Sequence, residues 1–156
     1  FIRYWFRHRC LFIWNEKKGL NVEGLDLDKR YAIFLKKKGI KVNSVEINKL
    51  KINKKFHLIT LNKVLEHVQN PVIFLKKTLK FLKKNGLVYI EVPDSNAKKK
   101  GKFSEEFCLD HLQIYSIVSL INIAKSIGLF PLRVERIVEP SGKYTVFGFF
   151  KLVANK

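Results

Sequence analysis

The sequence predicts the α/β class, a three-layer α/β/α domain on a mostly parallel sheet, with an antiparallel pair of strands at the end of the chain. Three observations carry that reading. Phe56 to Pro93 runs as strand, loop, helix, glycine turn and strand without a break. Short apolar runs recur at 20–25, 40–45, 56–61 and 87–92, with helix-period segments between them. The chain then closes with two strand-length segments, Leu129 to Val138 and Tyr144 to Val153, joined by E-P-S-G-K as an antiparallel pair. At 156 residues and 47% apolar, it holds enough for one core, so a single domain is expected.

Residues 1–18 stand apart in composition: both tryptophans and half of the arginines are here, and no glycine. Ile2, Tyr4 and Phe6 alternate with Arg3 and Trp5, so a makeshift strand is possible, although burying Arg3 would be costly. From Gly19 the pattern becomes regular. Leu20 to Leu25 is a strand with Asp26 at its carboxyl end, and Asp28 is placed to cap a helix over 29–38 whose Tyr31, Phe34 and Leu35 pack inward. Ile40 to Val45 forms a third strand and Asn48 to Lys55 a polar connection. His57 reads as a surface or edge-strand histidine.

Phe56 to Leu61 is the fourth strand. Asn62, Glu66, His67 and Asn70 crowd its carboxyl end before Pro71, and such strand ends are where α/β sheets bind ligands. Val72, Leu75, Leu79 and Leu82 follow at helical spacing opposite Lys76, Lys80 and Lys83, with Asn85-Gly86 as the left-handed stop. Leu87 to Val92 is a buried strand closed by Pro93. The segment from Asp94 to Asp110 is a polar loop, Ser116 is placed to cap a helix over 117–127, and Gly128 ends it.

Composition bounds the function. The net charge of +18 raises a nucleic-acid-binding module as one alternative, since clustered lysines neutralise phosphates. Lysine, asparagine and isoleucine abound throughout, as an AT-rich coding sequence produces, and arginines are few, so a solvated basic surface is the preferred reading. Two cysteines, Cys10 and Cys108, and no signal peptide point to a reducing cytoplasm. The longest apolar stretch, Leu112 to Ala124, is too short to span a bilayer. Cys108 with His111 alone makes no ligand set, so no metal is expected.

V-L-E-H-V-Q-N-P, a helix ending L-K-K-N-G, and L-V-Y-I-E-V-P together resemble the segment after the fourth strand of class I S-adenosylmethionine-dependent methyltransferases. The resemblance is to the branch with the L-E-H-x-x-x-P pattern, which includes ubiquinone-pathway and other small-molecule methyltransferases, and it covers Gly19 to about Val153. It implies a Rossmann-like methyltransferase fold of seven strands and methyl transfer from S-adenosylmethionine to a small-molecule acceptor. It gives Asp26 the ribose hydroxyls and Glu46 the adenine amino group, and sets Asn62 and Lys63 beside the methionine part of the cofactor. His111 and Tyr115 fall on the acceptor side. Glu66-His67, the family's signature pair, is either an acid-base couple or a loop-orienting one, so His67 and His111 are the candidate bases. Ser116 and His111 also have a plain reading, as a helix cap and a satisfied local histidine.

The same resemblance requires a first strand and a glycine-rich loop where residues 1–18 stand. A shift of one base restores it: read from the second base, the only tryptophan codon followed by TT gives glycine at Trp5, and Arg7, Arg9 and Cys10 allow the same. Residues 1–18 are therefore expected to be a frameshifted remnant ahead of an incomplete methyltransferase domain over 19–153. The first strand is then missing or malformed and cofactor binding impaired. A non-catalytic relic of the fold is the further alternative.

Overall fold

The computed structural model describes residues 2–5, 21–101 and 103–153. Its centre is one seven-stranded sheet in the order β3-β2-β1-β4-β5-β7-β6. The strands are β1 (Ile2–Trp5), β2 (Glu23–Leu25), β3 (Lys41–Asn43), β4 (Phe56–Asn62), β5 (Leu82–Pro93), β6 (Leu129–Val138) and β7 (Tyr144–Leu152). Neighbours from β3 to β5 pair parallel, and β7 pairs antiparallel with both β5 and β6. The sheet has no hole: β1 lies between β2 and β4, with Ile2 opposite Ile59 and Trp5 opposite Asn62. The expectation that the first strand is missing is corrected to that extent.

Among the described residues three α-helices flank the sheet: α1 (Lys29–Lys36), α2 (Pro71–Leu79) and α3 (Ile117–Ser126). Each starts where its sequence supplies a cap. Asp28 accepts from Arg30 N–H and Asn70 from Ile73 N–H, with Pro71 in the first turn where its missing N–H costs nothing. Ser116 and Ser119 form a reciprocal capping box. The β2-α1-β3 crossover runs toward one edge of the sheet and β4-α2-β5 toward the other, so right-handed crossovers place α1 and α2 on opposite faces. The core divides accordingly. Val22, Ala32, Leu35, Ile40 and Val42 pack as one small cluster, and Tyr31 and Phe34 lean against it. The larger cluster runs from Leu25 through Ile59, Leu61, Leu75 and Ile90 to Leu120 and Phe150.

Most element ends differ by one to three residues, and the start of β5 differs most. Leu82 is not the last turn of α2 but the first residue of β5, paired with Phe56, and the ladder resumes only at Leu58 and Leu87. Asn85, at φ 63°, therefore turns the chain within β5 instead of ending a helix. Leu82 is buried either way, so its helical spacing from Leu79 carried no information about backbone state. Among the described residues no helix is long and apolar enough to cross a membrane.

Candidate active site

Strand order reverses between β1 and β4, and the carboxyl ends of those strands are where an open α/β sheet forms its ligand crevice. Asp26 and Asn62 flank it. Tyr4 is in register with Leu25, one residue before Asp26, and Trp5 with Asn62 itself. Asp26 is buried; its Oδ1 accepts the Asp28 N–H at 2.8 Å, while Oδ2 has no partner. Burial holds its carboxyl above the usual range, helped by the Asp28 charge and opposed by that N–H. Asn62 is also buried. Its Nδ2 donates to Glu91 Oε2 at 3.0 Å and its Oδ1 has no partner. Two buried acceptors without donors, one on each side of β1, are a standing cost that a hydroxyl- or amine-bearing ligand would remove.

Lys63 leaves β4 in a left-handed conformation, φ 52°. Its ammonium turns toward the closing hairpin, 3.1 Å from Glu139 Oε1 and hydrogen-bonded to Thr145 Oγ1, with Glu91 at 3.8 Å. Glu46 is exposed ahead of a short 3-10 turn, Ile47–Lys49, and caps nothing with its side chain.

Beyond Asn62 the chain makes a 3-10 turn at Leu65–His67 and lines a cavity of about 370 Å³ together with the 105–111 and 139–144 segments. Glu66 lies at its inner end, fully buried, and neither carboxylate oxygen has a hydrogen-bond partner. Desolvation pushes this carboxyl up to about 7, with Lys63 pulling it down and the Glu91 and Asp110 charges pushing it further. The backbone around it is well tied: the Glu66 carbonyl accepts from Leu112 N–H at 2.8 Å and Gln113 N–H at 3.2 Å. His67 and His111 meet edge to face, 4.9 Å between centroids. Their Nδ1 atoms lie 2.9 Å from the Asp110 carbonyl and 2.8 Å from the Glu106 carbonyl, so each Nδ1 carries the proton and donates.

The structure brings His67 and His111 together and places Asp26 and Asn62 on either side of β1. Lys63 lines the cavity and Glu46 stays on the surface. Tyr115 does not line the cavity. It is a core residue whose hydroxyl donates to the Leu65 carbonyl at 3.2 Å and whose titration is pushed up, by burial first and by Glu66 second. The metal expectation considered only Cys108 with His111. Ligand atoms of Glu66, His67 and His111 lie within 4.8 Å of one another, as do those of Cys108, Asp110 and His111. Glu106 and Glu139 had no sequence signal. Glu106 is nearly buried, accepts from Ser104 Oγ and the Tyr144 N–H, and is held below the usual carboxylate range by those bonds and by Lys100 against its own desolvation. Arg7 and Arg9, the expected substitutes for loop glycines, lie outside the described residues.

A seven-stranded sheet of this order, with the switch point at β1 and β4 and a polar cavity beyond it, has the fold of S-adenosylmethionine-dependent methyltransferases. Solved structures share it. The Burkholderia thailandensis 1,6-didemethyltoxoflavin-N1-methyltransferase, with S-adenosylhomocysteine bound, superposes at a TM-score of 0.77 and 15% identity over 98% of this chain and 71% of that one. The Synechocystis magnesium protoporphyrin IX methyltransferase does so at 0.74 and 11%, over 97% and 73%, and a plantazolicin methyltransferase at 0.72 and 13%, over 96% and 74%. No curated protein sequence matches the chain at a significant level. A family model described as a methyltransferase domain matches residues 8–133, and the chain belongs to that family.

Proposed function

We propose that this domain is built to transfer a methyl group from S-adenosylmethionine to a small-molecule acceptor, and that the chain as it stands is impaired at the cofactor end. The observation that carries the reading is the pair of orphaned buried acceptors, Asp26 Oδ2 and Asn62 Oδ1, on either side of β1. Asp26 would hold the ribose hydroxyls and Asn62 the amino-acid part, each supplying an acceptor to a ligand rich in donors. Bound there, the cofactor supplies an activated methyl on a sulfonium. The chain's own part is to align the acceptor and keep water out.

The cavity fits a small molecule in volume, and its lining argues against a polyanion. Glu66, Glu105, Glu106, Asp110 and Glu139 face it against Lys63 and Lys143, in a chain whose net charge is +18. The basic surface lies elsewhere. For an acceptor that must lose a proton, His67 and His111 stand where a base is needed.

On this reading residues 1–18 are the frameshifted remnant of the glycine-rich loop, and Trp5, Arg7 and Arg9 stand in the sequence where that loop has glycines, whose bare backbone the cofactor needs. The test is to restore the frame and measure S-adenosylhomocysteine binding by calorimetry. Micromolar affinity in the restored protein is expected, and its absence overturns the reading. In that protein His111→Ala lowers turnover with an acceptor found by screening while leaving cofactor affinity within about twofold.

A further inference from the structure

The two ends of the sheet differ in charge. The described carboxylates gather where the strands end: Asp26 follows β2, Glu66 follows β4, Asp94 follows β5 and Glu139 follows β6, with Glu106 and Asp110 in the loop beyond β5. At the amino ends of the strands the described residues carry one carboxylate, Glu23, and it is buried. Exposed lysines crowd that same end. Lys41 opens β3, Lys54 and Lys55 lead into β4, and Lys83 and Lys84 lie at the start of β5 before the turn at Asn85.

Coding bias accounts for many lysines but not for this segregation, since it adds lysine everywhere and clears carboxylates from nowhere. Helix electrostatics accounts for a further part: Lys36, Lys76, Lys77 and Lys125 sit in the last turns of α1, α2 and α3, where a cation complements the helix dipole. The strand-end lysines have neither reason. Two of them are held in place, because buried Glu23 takes the ammoniums of both Lys54 and Lys41, the latter at 3.5 Å, and both line a recess of about 420 Å³. From β3 to β5 the row crosses four strand spacings, about 19 Å.

We propose that the amino end of the sheet binds the phosphate backbone of a duplex nucleic acid, at the end of the domain opposite the cavity and without reading base sequence. A row of about 19 Å matches five or six phosphates along one strand of a duplex. Lysines meet phosphates as point charges, which positions a nucleic acid but specifies no base. A single strand would call for exposed aromatic platforms, and the row has none, Phe56 beneath Lys54 being buried. An anionic membrane would call for apolar anchors among the lysines. The exposed apolar side chains nearest this end, Phe130 and Val153, belong instead to the β6–β7 edge. The proposal goes beyond methyl transfer and involves neither its cofactor nor its acceptor.

Fluorescence anisotropy of the 156-residue chain with a labelled RNA duplex of about 20 base pairs, and with DNA of the same sequence, tests this directly. Micromolar binding of both at about 50 mM salt is expected, with log affinity falling against log salt at a slope of about −4 to −5. The triple variant Lys55→Gln, Lys83→Gln, Lys84→Gln should weaken binding at least about 10-fold and make the slope shallower by about 2 to 3. A matched triple at the other end, Lys29→Gln, Lys98→Gln, Lys99→Gln, removes the same charge and should change affinity by less than about threefold. All six lysines are exposed, and circular dichroism confirms that each variant is folded. Should the first triple not fold, Lys55→Gln with Lys84→Gln is compared with Lys98→Gln and Lys99→Gln. Equal losses at the two ends overturn the proposal, because net charge alone would then bind the duplex. So does a slope shallower than about −2 in the unaltered chain. Displacement of the duplex by phosphatidylserine vesicles at micromolar lipid also overturns it, assigning the face to a membrane surface.

Discussion

On the β2 side of the switch point Asp26 is tied to near neighbours; on the β5 side several polar groups are tied across the fold. Asp26 is held by Asp28, two residues on, and by an N–H bond to the adjacent strand at Asn43. Around the acceptor cavity the bonds join residues about 40 to 80 apart: Glu66 with Leu112, His67 with Asp110, Lys63 with Thr145 and Glu139, Asp94 with Arg136 at 2.7 Å. The acceptor half is therefore a preorganised cross-linked shell. The β2 half has two orphaned buried acceptors, Asp26 Oδ2 and Asn62 Oδ1, and on the proposed reading it depends on what residues 1–18 supply. Damage to the first half should cost binding, and damage to the second should cost stability.

The sharpest test of that division is the chain against its frame-restored form. Restoring the loop regains several backbone N–H contacts with the cofactor, each worth about 1 to 1.5 kcal/mol, so affinity should rise by at least about 1000-fold. Equilibrium dialysis with labelled S-adenosylmethionine reads this directly. Micromolar binding by the unrestored chain would break the comparison, because the cofactor half would then be complete without its glycines.

Glu66 should dominate the stability of the other half. Its carboxyl lies near 7 in the folded protein against 4.5 when exposed, so the folded state holds a proton that the unfolded state has released. The stabilisation from that proton is fully present below about pH 4.5 and is lost as pH rises through 7. The loss approaches 3 kcal/mol by pH 8.5. Denaturant unfolding in the presence of a chelator should show this fall, and Glu66→Gln should flatten it over the same window. An unchanged pH profile in that variant would mean the group titrates normally.

Asp26→Ala in the restored protein should weaken cofactor binding by about 1.5 to 3 kcal/mol, the worth of hydrogen bonds to a charged acceptor, with little effect on unfolding. Calorimetry and denaturation on the same variant separate the two. Equal affinity with and without Asp26 would remove it from the cofactor site.

Much of the architecture was legible because it is written locally. Asp28, Asn70 and Ser116 announce helix starts through short-range capping, and the apolar runs at 56–61 and 87–92 announce buried parallel strands. Leu82 was misplaced because a buried leucine four residues before a glycine satisfies a helix period and a strand alike. The polar strand ends at Asp26 and Asn62 were legible, because each follows a short apolar run. It was not legible at Glu106 and Glu139, whose roles depend on the loop over 94–110 folding back onto the hairpin of β6 and β7. The direction of Tyr115, four residues after His111, was not legible either, because it is set by long-range contacts such as its bond to the Leu65 carbonyl.

Tyr115 gives the smallest effect and the cleanest check on where cross-linking matters. Its side chain is buried in the main core, and its hydroxyl donates to the Leu65 carbonyl, one residue before Glu66. Its backbone is tied as well, the carbonyl accepting from Ser95 N–H at 2.7 Å. Tyr115→Phe keeps the ring and its packing but leaves the Leu65 carbonyl without this donor, which should cost about 1 kcal/mol of stability. The 3-10 turn that carries Glu66 and His67 would lose one of its anchors, while Asp26 and Asn62, on other strands, would not feel it. Cofactor affinity in the restored protein should therefore stay unchanged as the unfolding midpoint falls. A large loss of turnover at constant stability would instead return Tyr115 to the acceptor side, and the division between a cross-linked acceptor half and a locally tied cofactor half would need redrawing at that residue.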